Sequence, residues 1–115
     1  MKLRVLLLSL LVAAVGLTII PIAAPQTKAT TVTVTAKEFK FLLSTKTAKA
    51  GAITFKVVNK GKIAHDFKIA GKKTPLLQPG KSATLKVTLK KGMWPYKCTV
   101  DAHASAGMKG TFKAI

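Results

Sequence analysis

From residue 31 to the C-terminus, apolar and polar residues alternate with period two, as strands with one buried face require. Val32 and Val34 alternate with threonines, Phe39, Phe41 and Leu43 share a face, and Ile53, Phe55 and Val57 alternate with Thr54, Lys56 and Val58. Ile63, His65, Phe67 and Ile69 form the next set. Ala83, Leu85, Val87 and Leu89 follow, then Trp94, Tyr96, Cys98 and Val100, and finally Phe112 and Ala114. Turn sequences separate these runs: Ala50-Gly51, Asn59-Lys60-Gly61, Ala70-Gly71, Gln78-Pro79-Gly80 and Lys91-Gly92. The pattern predicts one all-β domain of about seven to eight short strands, a Greek-key sandwich or small barrel, with no helical stripe and no internal repeat.

The N-terminus follows different rules. Met1-Lys2-Leu3-Arg4 is basic, Val5 to Ile20 is a long apolar run, and Ala23 and Ala24 follow Pro21. Residues 1–24 therefore read as a signal peptide for export, with cleavage after Ala29 as a second choice. The run nears the ~20 apolar residues of a spanning helix, so an uncleaved membrane anchor is the alternative. Residues 25–30 are a short lead-in, and the domain proper is 31–115, placed in the periplasm or outside the cell. The single cysteine, Cys98, excludes a lipoprotein anchor, an internal disulfide, a Cys-paired zinc site and an iron–sulfur cluster.

Charge narrows the partners. The formal net charge is +17, and removing Lys2 and Arg4 with the signal leaves +15 carried by lysine alone. Bidentate recognition of phosphate or guanine favours arginine, so nucleic acid is not an expected partner. Lys46, Lys56, Lys68, Lys86 and Lys97 are spaced as outward strand positions. They form a solvated basic surface able to steer an acidic partner or an anionic envelope.

The candidate chemistry is concentrated. His65 and Cys98 both fall on apolar faces, where each alone has an ordinary reading: a core histidine with one hydrogen bond, and a small buried hydrophobe. The segment Cys98 to Gly110 adds the spacing C-x4-H-x4-M through His103 and Met108. One site thus accounts for the only cysteine, both histidines and one of the two methionines beyond the signal. A thiolate, two imidazoles and a thioether suit copper in both oxidation states, as a His2Cys set with a weak axial Met. Trp94 and Tyr96 are expected to fill the core, and Met93, beside a turn, has no ligand role.

These residues resemble the cupredoxins, the type 1 blue copper proteins. The likeness rests on Asn59-Lys60-Gly61-Lys62-Ile63-Ala64-His65-Asp66-Phe67, on Leu77-Gln78-Pro79-Gly80 and on the loop Cys98–Gly110. The long ligand loop is most similar to rusticyanin-like and sulfocyanin-like proteins and to small secreted cupredoxin domains. The resemblance implies one copper ion held by His65, Cys98, His103 and Met108, with Asp66 tying the two ligand segments together near the sulfur. The family often has glycine before the loop histidine; this chain has Ala102, which is strained if that position needs φ > 0.

With four protein donors no position is left for substrate, so a single-electron carrier is expected rather than an enzyme. The expected electron port is His103, framed by Ala102, Ala104 and Gly107, with Lys62, Lys97 and Lys109 at the rim. The rim lysines suit a partner with an acidic docking face, the resemblance implies that it is a cytochrome or a membrane oxidase or reductase, and the carrier is expected to be a monomer. Two alternatives remain: a copper storage or delivery protein, and a basic secreted protein that binds the cell envelope.

Overall fold

The computed structural model describes residues 13–22 and 28–115. Residues 13–22 have no regular secondary structure and exposed side chains; the basic start of the chain and Ala24 lie outside the described residues. Among the described residues no helix is long and apolar enough to cross a membrane.

Nine strands are present among these residues: β1 (Thr30–Lys37), β2 (Lys40–Leu43), β3 (Thr47–Ala48), β4 (Gly51–Asn59), β5 (Lys68–Ile69), β6 (Lys72–Lys73), β7 (Ser82–Leu89), β8 (Gly92–Lys97) and β9 (Lys109–Ala114). They form two sheets, ordered β2-β1-β4-β7 and β3-β9-β8-β5-β6. β1 runs parallel to β4 and β3 parallel to β9; the other pairs are antiparallel. The all-β sandwich expected from the alternation is therefore present.

The two inner faces make the core. Val32, Val34 and Ala36 of β1 and Ile53, Phe55 and Val57 of β4 are buried, as are Leu85, Val87 and Leu89 of β7. Tyr96 and Phe112 close it from the other sheet, while Trp94 is only half-buried and donates its ring N–H to the Lys90 carbonyl at 2.9 Å. Phe67 is the hub of an aromatic cluster, with ring centroids 5.2 Å from Phe41, 5.3 Å from Phe55 and 5.5 Å from Tyr96. The Phe41 and Phe67 rings meet edge to face, the geometry that the aromatic quadrupole favours.

Lysine occupies the outward positions, and every described lysine is exposed. The outer strands follow this rule. β6 is Lys72-Lys73, β2 begins at Lys40, β3 is flanked by Lys46 and Lys49, and β7 carries Lys86.

Two expected strands differ from the alternation. Residues 63–69 were expected to be one strand, but only Lys68–Ile69 is regular, and His65 forms an isolated bridge with Leu77. His65, Phe67 and Ile69 do point inward, whereas Ile63 is 43% exposed. The cause is side-chain competition: the Ile63 carbonyl and N–H are both taken by side chains rather than by a neighbouring strand. Phe39 does not share a face with Phe41. It lies in the two-residue turn between β1 and β2 and is 40% exposed.

Candidate metal centre

The turns that matter gather at one end of the sandwich. Parallel pairing sets Ala36 of β1 beside Asn59 of β4, which brings the Glu38–Phe39 turn next to the chain leaving β4. On the neighbouring strand, Ser82 of β7 pairs with Val58, so the Gln78-Pro79-Gly80 turn reaches the same end. Gly80 has φ 81, as the third residue of a Pro-Gly type II turn requires.

Asn59 organises the segment that leads to His65. Fully buried, it donates through Nδ2 to the carbonyls of Ile63 and Leu77, both at 2.8 Å, and accepts from the Gly61 N–H at 2.8 Å. His65 then exchanges two backbone hydrogen bonds with Leu77, at 3.0 and 2.8 Å. These bonds fix the backbone under an imidazole that is wholly buried.

Cys98 follows directly on β8. Its N–H donates to the Met108 carbonyl at 3.0 Å, closing the neck of the loop between β8 and β9. Inside the neck the Met108 N–H donates to the His103 carbonyl at 3.0 Å, and the His103 N–H to Val100 at 3.1 Å. Asp66 joins the two segments: its carboxylate accepts the Thr99 N–H at 2.6 Å and also the Thr99 hydroxyl.

Three donor atoms converge in this frame. The His65 and His103 Nδ1 atoms lie 3.1 Å apart, and the Cys98 Sγ is 3.6 Å from His103 Nδ1. The ligand atoms of His65, Cys98 and His103 all fall within 4.8 Å of one another, and all three residues are buried. Met108 is fully buried beside them in the chain, its backbone tied to both Cys98 and His103. Burial pushes the Cys98 thiol pKa above its ordinary value. Lone-pair donors packed this closely would repay their burial with a cation among them, and such an ion would displace the thiol proton. The donor chemistry therefore fits a soft metal ion.

Ala102 has φ 65, in the left-handed region where Cβ crowds the backbone. Ala102→Gly is expected to stabilise the domain by about 0.5–1 kcal/mol, the relief of strain exceeding glycine's extra entropy when unfolded. The urea midpoint measures it; a lower midpoint would mean that alanine is not strained there.

Three residues of this site are not marked out as site residues by spacing or alternation. Phe39 packs edge-on against His103, with centroids 5.1 Å apart, and its carbonyl lies 3.0 Å from where a side chain on Gly107 would begin. Asn59 is legible only as a turn residue. Glu38 is the third. Its Oε1 collects the N–H groups of Lys62 at 2.7 Å and Ile63 at 3.0 Å, and His65 Nε2 at 3.1 Å. These donors, the Ile63 N–H foremost, bring the carboxyl pKa down to about 2, so it is ionised at neutral pH.

A β-sandwich whose end loops close two imidazoles and a thiol into one buried cluster is a small metal-binding domain. The profile of the cupredoxin-like domain matches residues 8–112, and the chain belongs to that family. The fold is also that of solved blue copper proteins. A dithionite-reduced auracyanin from Roseiflexus castenholzii is 21% identical, with 77% of this chain and 99% of that chain covered and a TM-score of 0.67. Auracyanin A from Chloroflexus aurantiacus, described as a "blue" copper protein, is 17% identical over 76% of this chain and 100% of that one, with a TM-score of 0.64. An azurin from Methylomonas sp. strain J is 18% identical over 76% and 99%, with a TM-score of 0.61. No curated protein matches the chain by sequence.

Proposed function

We propose that this chain is an exported type 1 copper protein that carries single electrons between redox partners. The observation that carries the reading is the buried convergence of His65 Nδ1, His103 Nδ1 and Cys98 Sγ. Met108 completes the set as the weak fourth donor. Copper, when bound, supplies the one-electron Cu(I)/Cu(II) couple. The protein supplies rigidity: Asn59, Asp66 and the Cys98–Met108 bond hold each donor segment from its backbone, so little rearrangement accompanies a change of charge. Storage or delivery needs exposed, exchangeable donors, which buried His65 and Cys98 do not offer.

Electrons are proposed to pass through His103, the ligand that reaches the surface with 8% of its area exposed. Around it stand the small residues Ala102, Ala104 and Gly107, and the exposed rings and branches of Phe39 and Ile63 belong to the same end. This apolar face, rimmed by Lys62, Lys97 and Lys109, suits an acidic partner such as a cytochrome or a membrane oxidase or reductase. The test is electron self-exchange between Cu(I) and Cu(II) forms, read from NMR line broadening. Rapid exchange in the native protein, slowed several-fold by Ala104→Gln with copper content and colour unchanged, is the expected result. Copper uptake without measurable exchange would make the protein a store, and an unaffected rate in the variant would move the port elsewhere.

A further inference from the structure

The chain has only three acidic residues among twenty cations. Two of the three, Glu38 and Asp66, accept hydrogen bonds within the ligand frame. Asp66 braces the thiol side. Glu38 does something else: one oxygen receives two backbone N–H groups of the segment leading into His65, and the ring of His65 itself.

The notch that admits this carboxylate is built into the chain. A Cβ on Gly61 would collide with both oxygens and the carboxyl carbon of Glu38. Glycine at 61 is thus the condition for the contact, and Asn59 holds that glycine in place through its N–H. An ionised carboxylate can only accept, so the His65 nitrogen facing it must carry the proton. The other nitrogen, Nδ1, is left with its lone pair directed at His103 and Cys98.

We propose that Glu38 is the positioning residue of the first histidine: it holds His65 as the Nε2-protonated tautomer with Nδ1 free for the metal, and its charge favours Cu(II) over Cu(I). The inference rests on the reading of His65 as a copper ligand. A carboxylate behind a metal-bound imidazole makes the ring a stronger donor and fixes its orientation. Its negative charge across the ring also favours the more highly charged ion.

Three variants separate these effects. Glu38→Gln keeps an oxygen for the same donors and removes the charge. At a fixed applied potential it is expected to raise the Cu(I)/Cu(II) ratio about tenfold, equivalent to about 59 mV for one electron. Glu38→Ala removes charge and clamp together, and Gly61→Ala evicts the carboxylate without altering it. In the copper-free protein, ring 15N shifts of His65 are expected to report the Nε2–H tautomer in the native chain and in Glu38→Gln. The same shifts should report a tautomer mixture in Glu38→Ala and Gly61→Ala. A merely structural role would lower the melting temperature of all three variants while leaving potential and tautomer where they were, and that result overturns the proposal. A native protein that shows the tautomer but no thiolate–copper band removes the copper reading instead, and with it the redox half of this one.

Discussion

Cu(II) added to the native domain is expected to give an intense visible band and a narrowed copper hyperfine splitting, and Cys98→Ser is expected to abolish both. The reasoning starts from the thiol. Cys98 is almost wholly buried, yet its sulfur lies 3.6 Å from an imidazole nitrogen. Among the donors gathered here only a thiolate would donate charge to copper at visible energies, and displacement of the thiol proton by the ion would make one available. Serine has nearly the same shape, but its hydroxyl is a hard, reluctant donor. The frame around it, from the Asp66 bonds to Thr99 to the neck at Met108, uses no side-chain atom of residue 98 and is expected to survive the change. The substitution thus isolates the sulfur. Affinity should fall with colour: copper at a thousandfold its Kd stabilises a folded protein by about 4 kcal/mol, and most of that thermal shift should vanish in the variant. A colourless native protein, or a weak Cu(II) spectrum indifferent to the substitution, would eliminate the ligand set and favour a basic envelope-binding protein.

Phe67→Ala should produce the largest loss of stability, about 3–5 kcal/mol, seen as a fall in melting temperature of roughly 15–30 °C. Phe67 is fully buried, and three aromatic rings pack on its own. No neighbour is placed to refill the void, because Phe41 and Phe55 are anchored in β2 and β4. The loss should also reach the metal end. Phe67 is two residues from His65, and its N–H and carbonyl are both bonded to buried Thr74, at 3.1 and 3.0 Å. Copper affinity should therefore weaken although no ligand is altered. Phe67→Leu, which keeps most of the volume, should recover most of both. A stability loss below about 1 kcal/mol would mean that the ring cluster is not the keystone of the core.

The legible part of this protein was whatever is written locally. Alternation identifies inward residues of β1, β4 and β7 because those strands are eight or nine residues long. It cannot identify β3, β5 or β6, which have two residues each and exist only through pairing. The inward aim of His65 was readable although its strand is not there, since a bridge to Leu77 imposes the same direction as a ladder. Cys98, His103 and Met108 lie within one loop, so their spacing alone suggested a shared site. Glu38 lies 27 positions from His65 and meets it through the parallel β1–β4 register, which no local pattern encodes. Phe39 leaves its expected face for a related reason: the alternation runs through it, but the turn between β1 and β2 carries it out to His103.

The lysines of the outer strands have a consequence of their own. An open strand edge is a template on which another copy can add; the two-residue edges β3 and β6, and lysine on β2 and β7, work against it. A strongly basic surface of this kind also sets copies of the domain repelling one another in concentrated solution. Salt should then act in two opposite senses. At about 1 M, where the screening length shrinks to roughly 3 Å, the attraction expected toward the acidic partner proposed above would fade. The mutual repulsion between copies fades as well, so the ionic strength that would free the protein from such a partner would also bring it closest to self-association.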